Sequence, residues 1–205
     1  MADNLFDIKN LSFSYDKDNV IDDLSLTIKP GGVTTIIGAN GCGKSTLFNL
    51  MTKNLRYDKG EIKFLGEDIS KIKLRALAKK LAIVHQQNTI PFDITVEKLV
   101  GYGRIPYENL CIPSKQEDNE DKIIWAMSVT GVYDIKGELL SRLSGGQRQR
   151  AWIAMSLAQD TDTLLLDEPT TFLDIKHQIE ILKLIENLNK EHGISIIMVL
   201  HDMNQ

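Results

Sequence analysis

Nine consecutive residues, Gly38 to Thr46 (GANGCGKST), set three glycines, a lysine and two hydroxyls in the order G-x-x-x-x-G-K-[ST]. That order suits an anionic ligand built of phosphates. Glycines let the backbone curl until successive N–H groups point into one concavity. A helix after the loop adds its unpaired N–H groups and the positive end of its dipole. Lys44 has the charge to neutralise β- and γ-phosphates, and Ser45 has a hydroxyl that can ligate Mg²⁺. Gly38, Asn40, Gly41, Cys42, Gly43, Lys44, Ser45 and Thr46 are therefore candidate nucleotide-binding residues. The plain alternative is a glycine turn that only caps a helix. Cys42 reads either as a spectator or as an oxidisable thiol, since a helix N-terminus lowers a thiol pKa.

Two acids, Asp167 and Glu168, follow directly on the apolar run Thr163 to Leu166. The carboxyl ends of parallel strands are where α/β sheets bind ligands. Asp167 can hold Mg²⁺ through water, and Glu168 can polarise the water that attacks a γ-phosphate. Two such acids alone read equally as a solvated turn; the phosphate loop tips the reading toward chemistry. His201 follows a second apolar run, Ile194 to Leu200, and would emerge at the same edge. Its placement suggests contact with the γ-phosphate or the attacking water. His85, His177 and His192 receive no metal assignment.

The elements that must position these groups are legible in part. Leu11, Phe13 and Tyr15 alternate with Ser12 and Ser14, and Leu24, Leu26 and Ile28 alternate likewise, so two strands are expected. Pro30-Gly31-Gly32 marks a turn. Val33 to Ile37 is a short β-branched run, expected to be a strand buried on both faces. Gly60 to Leu65 and Leu81 to Val84 are further strand candidates, with a basic, exposed helix expected over Lys71 to Lys80. Thr95 to Val100 and Lys122 to Val129 read as helices with the polar, acidic stretch Gln116 to Asp121 between them. Ile179, Leu182, Ile185 and Leu188 recur near helical spacing. Strands alternating with helices predict an α/β fold with a mainly parallel sheet.

Bulk properties narrow the field. At 205 residues the chain fits one domain with a large insertion, or two small ones, and is long enough for a core without disulfides. Hydrophobic residues make up 42% and charged residues 25%, which excludes a wholly disordered chain. A net charge of -4 argues against nucleic acid as a partner held by overall charge. Cys42 and Cys111 have no metal-ligand spacing. The start, MADNLFDIKN, lacks the apolar run of a secretory signal. The longest strongly apolar stretch, Ile194 to Leu200, is far short of the roughly 20 residues that span a bilayer. The cytosol is the expected compartment, and any membrane role is expected to run through a partner.

LSGGQ at Leu143 to Gln147, together with the phosphate loop and the acid pair, resembles the ATP-binding-cassette ATPases over the whole chain. The resemblance implies a P-loop NTPase (RecA-like) core with an antiparallel N-terminal β portion and an inserted helical subdomain. The expected division is core at 1–90 and 144–205 and helical subdomain at 91–143. It implies ATP hydrolysis with Mg²⁺. Carried over by position, Tyr15 would stack on adenine. Gln86 would touch Mg²⁺ and couple to a transmembrane partner, with Gln87 its neighbour. Asp174 would lie in the loop that communicates between two subunits, and His201 would be the switch histidine. Catalysis would then rest on Glu168, His201, Lys44 and Gln86, and Mg²⁺ on Ser45, Gln86 and Asp167.

Ser144, Gly145, Gly146 and Gln147 open a helix expected to run through Ala151 to Leu157, an anion-binding helix tip; an ordinary capped helix is the bland reading. In this family the tip faces a γ-phosphate held by a second subunit, which implies a head-to-tail homodimer, or a pair with a similar chain, closed on two ATP molecules. ITVEKLVGYGRIPY (94–107), RAWIAM (150–155) and LDEPTTFLDIKHQ (166–178) are similar to the ATPase subunits of importers for iron–siderophores, haem or cobalamin. Such a subunit would sit on the cytoplasmic face of the membrane against permease subunits, with a substrate-binding protein outside choosing the cargo.

The chain ends four residues after His201, where family members continue with a helix, strands and a final helix. The expectation is a truncated C-terminal part and lower stability than a full-length relative. Phe172 stands where many members have a small residue, and would either perturb dimer closure or pack in the interface. His85 stands where close relatives often have proline, which would loosen the loop at Gln86. Two other functions remain open at this point: a soluble ABC-type clamp unconnected with transport, and a non-catalytic nucleotide-binding remnant.

Overall fold

The computed structural model describes residues 3–16, 18–86, 94–108 and 116–200. His201, Gln87 and Cys111 lie outside the described residues.

Two four-stranded sheets are present among the described residues. The first is antiparallel. It contains β1 (Phe6–Tyr15), β2 (Asp18–Ile28), β4 (Lys59–Phe64) and the short β5 (Glu67–Asp68), in the order β2-β1-β4-β5. The second is parallel. It contains β3 (Val33–Ile36), β6 (Ala82–Val84), β7 (Thr163–Asp167) and β8 (Ser195–Val199), in the order β3-β8-β7-β6. Six α-helices accompany them among the described residues: α1 (Lys44–Met51), α2 (Leu74–Leu77), α3 (Val96–Gly101), α4 (Gln116–Val129), α5 (Gly145–Ala158) and α6 (Ile175–His192).

The central strands are buried at every position, and their two-residue period divides the interior into two cores. Leu164 and Leu166 of β7, with Ile196 and Met198 of β8, face α5, α6 and the helical segment. Leu165, Ile197 and Val199 face α1 and the antiparallel sheet. The helical segment shares the first core, through Val96, Leu99 and Val100 of α3 and Ala126 and Met127 of α4. Just after α3, a 3-10 turn over Tyr102–Tyr107 is pinned by Arg104. Its buried guanidinium donates to the Ala158 carbonyl at the end of α5 (2.7 Å) and to Asn119 of α4 (2.8 Å).

Several expectations need correction. β1 starts at Phe6, because a register shift between Ile8 and Leu11, with Asn10 at φ 47°, breaks the alternation there. β3 is half exposed, not buried on both faces: it ends the strand order, and Val33 and Ile37 face solvent. The helix expected over Lys71 to Lys80 is a single turn at Leu74–Leu77. The Asp68 carboxylate draws the Ser70 N–H and hydroxyl into a turn, so the helix starts late. The acidic stretch Gln116 to Asp121 is not a connection but the first turns of α4, where acids favour a helix N-terminus. On α6 the buried stripe is Ile181, Ile185 and Leu188, while Ile179 is exposed. A three-residue recurrence drifts across a helix, and at about 100° per residue Ile179 and Leu188 point opposite ways.

Candidate active site

All four parallel strands send their carboxyl ends to one edge. β3 leads into the phosphate loop, β6 into His85 and Gln86, and β7 into Asp167 and Glu168. There a cleft of about 490 Å³ is lined by Tyr15, Val20, Asn40, Gly41, Gly43, Lys44, Ser45, Thr46, Gln86 and Glu168. Gly38, Cys42 and Asp167 are not among its lining residues, though Cys42 and Asp167 are chain neighbours of ones that are and Gly38 is bonded by Lys44.

The loop opens α1 without a side-chain cap. Gly43 is the N-cap in a left-handed conformation, φ 93°, which glycine adopts without penalty. A Cβ at Gly43 would also stand 3.1 Å from the Val20 carbonyl oxygen. The Lys44 side chain is buried and curls back over the loop, donating to the Gly38 carbonyl (2.6 Å) and the Ala39 carbonyl (2.9 Å). These oxygens occupy the donors that phosphate oxygens would take. The Cys42 sulfur packs over Gly38, where an added Cβ would meet it at 2.7 Å.

Across the cleft, Glu168 is the hub. It is buried, with a left-handed φ of 50°, rare outside glycine and a form of strain that gathers at functional sites. Its backbone N–H donates to the Val199 carbonyl (3.0 Å), which ties it to β8. Its Oε2 accepts from Gln86 Nε2 (2.5 Å) and from the Thr171 hydroxyl (3.0 Å). Gln86 is thereby drawn to the carboxylate that sequence reasoning assigned to catalysis. Asp167 ends β7 and is buried, and its Oδ1 has no hydrogen-bond partner among the described residues. Burial first, and then the neighbouring Glu168 charge, raise its carboxyl from 3.8 to about 6. An unpartnered buried carboxylate oxygen is costly unless a cation or proton joins it.

Tyr15 ends β1 at the cleft mouth, half exposed, with its ring edge-on to Phe13 (centroids 4.8 Å apart). The Ser144–Gln147 segment forms the tip of α5 and does not line this cleft. The Ser144 hydroxyl accepts from Gln147 N–H (3.3 Å), and the Gln147 side chain accepts from Ser144 N–H (3.0 Å), a reciprocal capping box. Asp174 caps α6 through the His177 N–H (2.9 Å) and holds the His177 ring at Nδ1 (2.7 Å). Sequence reasoning missed Val20, whose alternation is hidden by the β1–β2 register shifts, and gave Thr171 no bond to Glu168.

A cradle without a side-chain cap, a lysine folded into it and a hub carboxylate opposite make a nucleotide site of the P-loop kind. Residues 21–171 match the ABC transporter family. The chain belongs to that family. It is an ATP-binding-cassette ATPase domain. It is 44% identical over 202 residues to the iron(3+)-hydroxamate import ATP-binding protein of Bacillus subtilis (strain 168), covering 98% of this chain and 74% of the relative. It is 46% identical over 196 residues to the achromobactin transport ATP-binding protein of Dickeya dadantii (strain 3937), covering 96% and 72%. Among solved structures, it superposes on cbiO1 from Clostridium perfringens, part of an ABC transporter complex, with a TM-score of 0.86 at 32% identity over 98% of this chain and 79% of the other. An ATP-binding cassette solved as a dimer with ADP and Pi in a post-hydrolysis state gives a TM-score of 0.81 at 27% identity over 97% and 89%. Among the described residues no helix is long and apolar enough to cross a membrane.

Proposed function

We propose that this ABC ATPase energises an importer for an iron–siderophore-type compound, as a head-to-tail homodimer docked on permease subunits at the cytoplasmic face of the membrane. The names of the similar relatives support the cargo class. The observation that carries the catalytic reading is the cleft with Lys44 on one wall and Glu168, bonded to Gln86 and Thr171, on the other.

In this reading Lys44 leaves the Gly38 and Ala39 carbonyls for the β- and γ-phosphates, and the uncapped N–H groups of α1 take the remaining oxygens. Tyr15 stacks on the adenine. Glu168 accepts a proton from water as the water oxygen bonds to the γ-phosphorus. The bond to the β-phosphate oxygen breaks, leaving ADP and phosphate. Thr171 aims the carboxylate. His201 and the partner copy's serine–glycine tip meet the charge on the γ-phosphoryl group. The Asp167 oxygen, without a partner among the described residues, fits a cation, and Ser45, Gln86 and Asp167 are the residues that would hold Mg²⁺. When bound, Mg²⁺ supplies charge neutralisation at the phosphates. Residues 91–143 act as a helical subdomain that moves against the 1–90 and 144–205 core and pushes on the permease through the Gln86 loop.

The test has two arms. Glu168→Gln with ATP should migrate as a dimer in size exclusion, and tagged chain should co-purify with a polytopic membrane protein whose loss abolishes ferric-siderophore uptake. A dimer with no membrane partner would favour a soluble clamp instead.

A further inference from the structure

Three residues of the β7–α6 connection and of α6 itself, Leu173, His177 and Glu180, fall at i, i+4 and i+7 spacing and meet α5 along one line. A Cβ built on Gly145 would stand 3.1 Å from Leu173 Cδ2. A Cβ on Gly146 would stand 2.3 Å from His177 Cδ2, 2.8 Å from Cγ and 3.2 Å from Cβ. Arg150 pairs with Glu180 one turn further on. The contact at Gly146 is the closer of the two glycine approaches, and the half-buried His177 ring that makes it is tied at two points. Its Nδ1 is held by Asp174 at 2.7 Å, and the obstructing atoms include the root of the side chain. The same loop is closed by Gln178 Nε2 on the Leu173 carbonyl (3.0 Å) and begins at Glu168, which Thr171 bonds.

We propose that His177 is a positioning residue: clamped by Asp174, its imidazole sets the place of the Ser144–Gly146 tip relative to the Glu168 loop of the same chain. Gly146 is then required because it admits that ring. The consequence is a mechanical link within one protomer. A shift of Glu168 or Thr171 reaches the α5 tip through Leu173 and His177, so the carboxylate side of one site and the serine–glycine tip move as one body. The packing is intrachain. Only its effect on turnover rests on the dimer reading above.

The test is a double-mutant cycle of Gly146→Ala and His177→Ala, read by melting temperature and by kcat and KM for ATP. His177→Ala should lower kcat roughly tenfold and leave KM within about twofold, since the protomer's own cradle is untouched. His177→Asn, which keeps a donor for Asp174 in place of Nδ1, should recover most of that loss. Gly146→Ala should lower Tm by about 4 °C in the parent and by clearly less when residue 177 is alanine. Additive effects on both Tm and kcat overturn the proposal, as does a His177→Ala variant with parental kcat. If Glu168→Gln never dimerises with ATP, the dimer reading fails, and the Tm cycle still decides the packing link. If it dimerises and the cycle is additive, only the link fails.

Discussion

The two glycine-rich helix tips of this chain are built in opposite ways. α1 opens from a left-handed Gly43 with no side-chain cap, and its lysine is folded onto the loop's own carbonyls. α5 opens from an extended Ser144 whose hydroxyl joins a complete capping box with Gln147. The first tip has no side chain on its N–H groups, and its lysine charge is held by the loop's own carbonyls. The second has its Ser144 and Gln147 N–H groups taken up by the capping box, has Arg148 folded back on the Leu143 carbonyl (3.2 Å) and meets Leu173 and His177 at its two glycines. One is therefore a binding cradle that can act within its protomer. The other does not line its own protomer's cleft, and in the proposed dimer it would act on the partner copy's nucleotide.

Substitutions can break this contrast or sharpen it. The largest effect is expected for Glu168→Gln, which should reduce ATP turnover by ~10²–10⁴-fold in a phosphate-release assay while ATP binding persists. Lys44→Ala should be nearly as severe, roughly 10²–10³-fold, and should also weaken nucleotide binding to an isolated protomer, measured by calorimetry. Ser144→Ala should lower turnover by about tenfold or more and leave that protomer affinity unchanged. If it weakens protomer binding, the two tips are not separate in function. Its loss of a cap should cost only about 1 kcal/mol of stability, seen as a Tm drop of a few degrees.

A smaller effect concerns pH. The Asp167 carboxyl is raised from 3.8 to about 6, so the stability linked to its proton is fully present below 3.8 and lost as pH rises through 6. Asp167→Asn should therefore raise the Tm of the nucleotide-free protein by roughly 5 °C at about pH 8 and change it little at about pH 4. Equal shifts at both pH values would contradict the burial argument. The smallest effect is expected for Thr171→Val, a fall in kcat of about fivefold from losing one hydrogen bond to Glu168.

Legibility in the sequence followed the range of the physics. The phosphate loop, the acid pair and the α5 tip are local, and each depends on a few neighbouring residue types, so their residues stood out. β7 and β8 were readable because burial on both faces demands an unbroken apolar run. What escaped was nonlocal. β3 has a buried strand's composition but ends the strand order and is half exposed. Asn10 hides the first half of β1 at a register shift, and Asp68 consumes the start of the expected basic helix in a turn. His177 lacked a metal pattern and so looked idle; only the approach of α6 to Gly146 shows what its ring touches.

The most direct measurement mixes two impaired variants, Lys44→Ala and Ser144→Ala, in equal amounts and assays ATP hydrolysis. If each site joins one copy's lysine cradle to the other copy's serine–glycine tip, half the dimers are mixed and each has one intact site, so activity should return to as much as about a quarter of wild type. A mixture no more active than the mean of the two variants assayed alone would contradict the account.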